Sequence, residues 1–188
     1  MKKLINLLTI IIIVASSATM LAQDDNKYIN EPGYVNFGDM SMFNEEDMTT
    51  EIVIEEKLLR MVAKFTDKEE DPDLSNLLGG LKLIRVNTFE VSPENKKQIK
   101  QRINSIDKEL RLKKWDRIVK TKSKGDVTNV YVKTVGDDDF VGLTVVTLDN
   151  DGEATFVNIV GSIDLETINK LGDKFDIPGL DNVNKKGN

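Results

Sequence analysis

From Trp115 onward the apolar residues recur at every second position, in runs at roughly 115–121, 127–135, 139–148 and 154–161. The breaks between the runs are turn-forming: Lys124-Gly125-Asp126, Gly136 to Asp139, and Asp149 to Gly152. A period of two is a strand period, and connections this short join antiparallel neighbours. This part of the chain therefore predicts a four-strand antiparallel meander.

The last turn also predicts a register. Asp149-Asn150-Asp151-Gly152 suits a type I turn closed by a glycine bulge, which sets Asp149 across from Glu153. Val145 then faces Val157, Leu143 faces Ile159, and Thr144 pairs with Asn158. Pairing Val135 with Phe140 across the preceding turn brings Val130 and Val132 beside Val145 and Leu143. A slip of one residue would turn Asn158 onto the opposite face. The expectation is that the Val130, Val132, Leu143, Val145 face carries the helices, while Tyr131, Thr144 and Asn158 form a polar rung on the other, flanked by Val127, Phe140, Val146, Phe156 and Val160.

Upstream, Ile52 and Ile54 alternate as in a strand, and Leu58, Met61, Val62 and Phe65 follow at helical spacing. Asp71-Pro72 opens a short helix that Gly79-Gly80 ends. Leu81 to Val91 is β-branched and apolar enough for a long central strand. Ser92 and Pro93 suit the cap and first turn of the next helix, where Glu94 lies favourably near the positive end of the dipole. Ile99, Ile103, Ile106 and Leu110 make one apolar stripe along it. Asp164 opens a last helix through Leu165, Ile168 and Leu171, stopped by Gly172. The predicted fold class is α+β, with an antiparallel sheet made of the C-terminal four-strand meander plus the long central strand, and helices packed mainly on one face. A short strand is also expected at Tyr34 to Phe37.

Residues 1–22 read as a secretory leader: Lys2 and Lys3, an apolar run from Leu4 to Val14, then small residues ending at Ala22. Cleavage is expected after Ala22, with Ser16 and Ala18 offering an alternative cut. The run is short for a membrane span, so no transmembrane segment is expected once it is removed. Residues 23–48 then form a mobile lead-in, 49–175 a single α+β domain, and 176–188 a disordered tail. The chain has no Cys and no His. That composition excludes Ser-His-Asp and Cys-His nucleophiles, ordinary zinc sites, disulfides, and lipid attachment at a cysteine after the leader.

Gly79-Gly80-Leu81-Lys82-Leu83-Ile84-Arg85-Val86 and Phe156-Val157-Asn158-Ile159-Val160-Gly161-Ser162-Ile163-Asp164 resemble the two most recognisable stretches of the bacterial domain of unknown function 4252 family. The likeness spans about residues 34 to 172 and includes the order strand, helix, strand, long helix, meander, helix. It implies a small exported envelope protein. Many members resemble lipoproteins, and this chain departs from them in lacking the lipidated Cys. The resemblance also implies a role in sensing or buffering rather than turnover, and it brings no active site.

With 26 Lys and Arg against 32 Asp and Glu, the chain carries a formal charge of −6, but unevenly. Residues 92–124 hold twelve cations and four acids. The basic flank of the long helix, Lys97, Lys100, Lys108 and Arg111, is one candidate surface, suited to an anionic envelope component; the alternative is a solvated helix face balanced by the protein's own acids. The second candidate is the sheet face of Tyr131, Thr144, Asn158, Phe156 and Val160, either a ligand or partner face or strand residues beneath a covering segment such as 23–48.

No catalytic residue, metal ligand or cofactor is nominated. Asp149 to Glu153 lacks calcium-loop spacing, because Thr147 and Asn158 fall where acidic ligands belong. Asp137-Asp138-Asp139 lies at the opposite end of the strands and cannot join it. Nucleic acid is not expected, given the acidic total and a single Trp115 without interleaved aromatics. The sequence therefore points to an exported protein, periplasmic or extracellular and not lipidated. Its expected role is non-catalytic binding of an unknown envelope protein or anionic envelope component. The alternative is a carboxylate-dependent hydrolase acting on an envelope polymer, which requires two carboxyls across a cleft.

Overall fold

The computed structural model describes residues 25–37, 47–65, 72–123, 126–136 and 139–163. The predicted leader and the helix opening at Asp164 lie outside these residues, as does the tail. Among the described residues are six strands: β1 (Met48–Glu55), β2 (Leu81–Glu90), β3 (Asp116–Ser123), β4 (Asp126–Val135), β5 (Asp139–Leu148) and β6 (Glu153–Ile163). Three α-helices accompany them: α1 (Glu56–Phe65), α2 (Pro72–Gly80) and α3 (Lys96–Leu112).

The strands form one antiparallel sheet in the order β1-β2-β6-β5-β4-β3. Strands β3 to β6 are the meander. β2 is internal because the last strand of the meander returns beside it. The two stretches that carry the family resemblance are thereby neighbours, with Leu83 opposite Val160, Ile84 opposite Ile159 and Arg85 opposite Asn158. Where β2 leaves α2 the backbones nearly touch. A Cβ on Gly80 would meet the Ser162 carbonyl oxygen at 2.5 Å, and Gly161 holds a φ of 140°. Glycine at position 80 permits that approach, and glycine at position 161 that backbone angle, without strain.

The predicted register holds in the meander: Val145 faces Val157, Leu143 faces Ile159, and Thr144 faces Asn158. The Asp149 N–H donates to the Glu153 carbonyl, the Glu153 N–H donates to Asp149 Oδ1 at 2.8 Å, and Gly152 has a φ of 94°. One pair is corrected. An irregularity between Lys133 and Thr134 moves Phe140 opposite Thr134 and Asp139 opposite Val135, because a bulge absorbs one residue near the turn.

α1 continues directly from β1 and buries Leu59 and Ala63. It packs on α2, β1 and β2, and α2 packs on β6; the Ser75 hydroxyl donates to the Ala63 carbonyl at 3.0 Å. Before α3, Ser92 receives the Asn95 and Lys96 N–H groups on its carbonyl, so the helical path begins with a tight turn and the regular helix starts at Lys96. The adjacent Glu94 carboxyl is held below the usual carboxylate range by its own backbone N–H, then by the Ser92 side chain. At the other end Lys114 takes a φ of 59° where glycine is the usual stop. Lys133 Nζ donates to the carbonyls of Lys113 and Lys114 at 2.6 and 3.1 Å.

The stripe Ile99, Ile103, Ile106 and Leu110 is buried against Tyr131, Val146, Leu148, Phe156 and Phe89. This reverses the expected assignment of the sheet faces: α3 covers the Tyr131 side, and the Val130 side does not face it. The reason is side-chain volume. Tyr131, Phe89 and Phe156 lie on the α3 side and need the depth of a helix-on-sheet layer. Val and Ile fill the other face with short branched chains, most of them half-buried, with Ile54 and Val132 buried. That face is ordered in rungs across the whole sheet. One reads Ile52, Val86, Val157, Val145, Val130, Val119, and the next Thr50, Thr88, Thr155, Thr147, Thr128, Thr121. Thr88 and Thr155 join their hydroxyls at 3.2 Å.

The compact unit containing the sheet runs from Tyr28 to Asp164. Tyr28, Val35 and Phe37 are buried. Residues 34–37 do not join the sheet as a strand; side chains hold them instead.

Candidate functional site

Asn158 is where that holding occurs. Its Oδ1 accepts the Val35 N–H at 2.9 Å, and its Nδ2 donates to the Gly33 carbonyl at 2.9 Å and to Thr144 Oγ1 at 3.2 Å. Phe37 tilts onto Phe156 with ring centroids 5.4 Å apart, and Arg102 of α3 donates to the Phe37 carbonyl. The space is tight: a Cβ on Gly142 would meet the Gly33 Cα at 2.6 Å and the Trp115 ring at 2.8 Å. Tyr131, Thr144, Asn158 and Phe156 are 0% exposed and Val160 is 1% exposed. The sheet face read as a partner surface is thus filled by α3 and by the chain's own residues 33–37. Of the two readings left open, the covering segment matches this geometry.

The basic flank divides. Lys97, Lys108 and Arg111 are exposed on α3, whereas Lys100 borders a cleft of about 160 Å³ between α3, β3 and β4. The cleft follows from two periodicities. Lys100, Asn104 and Asp107 succeed one another by four and three along α3, parallel to the buried stripe and one position over from it. On β3, Lys120 and Lys122 alternate, opposite Asn129 and Val127 of β4, and so point toward the side that α3 covers. Because β3 is the edge strand, α3 leaves their ammonium groups uncovered, and Ile103 and Val127 give the cleft apolar walls.

Asp107 is the one carboxylate among the lining residues. Its Oδ1 accepts from Arg117 Nη1 at 2.7 Å and from the Tyr131 hydroxyl at 2.8 Å. Burial, and then the bond to Asp107 and its negative charge, push the Tyr131 phenol well above its ordinary range, so it stays a neutral donor. The acid is therefore engaged within the fold. Among the described residues no carboxylate pairs with Lys100, Lys120 or Lys122. Asn129 is 4% exposed, and its Oδ1 meets no donor among the described residues.

Three lysines bordering an apolar-walled recess can attract an anion. A two-carboxylate hydrolysis gains no support from this cleft, since its single acid is bound by a guanidinium and a phenol. Among the described residues no group of three or more acidic side chains is placed to hold a metal ion, and no helix is long and apolar enough to cross a membrane.

Sequence reasoning counted Arg117, Lys120 and Lys122 in the basic segment but assigned the surface to the helix, and it missed Asp107 and Asn129. The signal was the alternation of Lys120 and Lys122 in phase with Tyr131 and Asn129 across the β3–β4 pair.

An antiparallel sheet with one long helix across it defines a small α+β domain. The chain belongs to the family described as Domain of unknown function (DUF4252), which it matches over residues 43–171. No curated protein and no solved structure matches it.

Proposed function

We propose that this protein is an exported, non-catalytic binding module of the bacterial cell envelope that holds an anionic envelope component in the cleft between α3 and β3. The observation that carries this reading is that Lys100, Lys120 and Lys122 border one recess whose one acid among the described residues is already paired with Arg117. Solvated surface lysines need no concavity, and charges facing one recess raise the local concentration of counter-ions. The leader read at residues 1–22 supports export, and through it an envelope location.

Retention on immobilised dextran sulfate, with neutral dextran as control, tests the anion site. The wild type should be held at low salt and the Lys100→Gln, Lys120→Gln, Lys122→Gln triple variant released; equal retention of the two would overturn the reading. N-terminal sequencing tests the location. Material from the envelope fraction should begin at Gln23, and intact Met1 on protein from the cell interior would sink the export claim.

A further inference from the structure

We infer that the cleft is built for an acidic sugar: a hydroxylated ring bearing a carboxylate or phosphate, with a ring hydroxyl donating to Asn129 Oδ1. This rests on the anion-binding reading and makes it specific.

Three observations converge. The first is size, since a space of about 160 Å³ is comparable to the roughly 150 Å³ cavity that admits a six-membered ring. The second is the pairing of surfaces. Ile103 and Val127 offer apolar contact to the C–H faces of a ring, while Lys100, Lys120 and Lys122 attract its charge. The third is the orphan acceptor. An amide oxygen closed off from solvent without a partner is unfavourable, and the sugar site requires the Asn129 side chain to rotate toward the cleft, where this atom would accept from a hydroxyl or amide donor. Ammonium groups alone accept any anion. An acceptor set among them favours anions that also carry a donor.

The experiment is a titration of the purified protein, followed by backbone amide NMR shifts, with glucuronate, glucose 6-phosphate, cyclohexanecarboxylate and glucose. Glucuronate and glucose 6-phosphate should shift residues of β3, β4 and α3 at concentrations about five- to tenfold below cyclohexanecarboxylate, the worth of one neutral hydrogen bond, and glucose should shift them least. Asn129→Leu should erase the preference for the hydroxylated acids and keep the weaker binding of cyclohexanecarboxylate. Asn129→Ser, which retains an acceptor, should restore part of it and guards against a folding defect. If glucuronate and cyclohexanecarboxylate bind alike in wild type and in Asn129→Leu, and the triple lysine variant abolishes both, the sugar inference falls while the anion reading stands. If no acid shifts the cleft residues, both fall. A galacturonate hexamer distinguishes the source. Tighter binding per ring than the free acid assigns a residue within a polymer, equal binding assigns a monosaccharide, and either upholds the acidic sugar.

Discussion

The side-chain oxygen of Asn158 accepts the backbone N–H of Val35 at 2.9 Å, joining residues 123 positions apart in the chain. The same amide returns a hydrogen bond to the Gly33 carbonyl. One strand residue thus replaces the ladder that residues 33–37 lack.

Asn158→Leu keeps the volume and removes both partners from a buried backbone. The variant should lose about 2–4 kcal/mol in urea unfolding, because each orphaned backbone group costs about 1–3 kcal/mol less any relaxation. Hydrogen exchange at the Val35 amide should accelerate more than at the amides of β5. Uniform acceleration across both would show that the segment is not separately held.

Adjacent glycines should respond in opposite directions. A Cβ on Gly79 meets nothing within 4 Å, whereas one on Gly80 meets the Ser162 carbonyl oxygen at 2.5 Å. Gly79→Ala should be neutral or stabilising by up to about 1 kcal/mol through helix propensity. Gly80→Ala should destabilise by about 1–3 kcal/mol, as β2 is forced away from β6. Thermal unfolding of the pair checks both signs.

Tyr131 makes the fold sensitive to alkali. Its phenol is raised above the ordinary 10.0, first by burial and then by Asp107, so the folded state retains a proton that the unfolded chain releases. The contribution is complete below pH 10 and declines as pH climbs past it. Wild type should exceed Tyr131→Phe by about 1–3 kcal/mol at pH 8, and the gap should narrow by pH 11. A gap that widens with pH would contradict the assignment.

Lys133 closes the C-terminal end of α3 through the Lys113 and Lys114 carbonyls. Lys133→Met should lower stability by about 0.5–1.5 kcal/mol, part dipole and part hydrogen bond, and raised salt should shrink the difference.

Much of this was legible because it is local. The turn chemistry of Asp149 to Gly152 placed Thr144 opposite Asn158, and the spacing of Ile99, Ile103, Ile106 and Leu110 placed the helix stripe. The assignment of the faces was not legible from alternation, because both faces of β4 to β6 present apolar residues. It required weighing Tyr131, Phe89 and Phe156 by volume, and Phe89 comes from β2, which no short-range signal sets beside β6. The cleft was hidden for a related reason. Lys100 and Lys120 meet only once the chain turns at Lys114 and lays β3 along α3, and no glycine at that turn announced it.

The clasp between Val35 and Asn158 also sets an order of events. On a chain made from its N-terminus, the residues that need Asn158 are finished long before it exists. They wait, uncommitted, through the making of five strands, and β2 waits equally for the strand that joins it to the meander. Closure of this fold is therefore an act of its final hairpin, and until that hairpin arrives the earliest-made segment remains open to whatever escorts a growing chain.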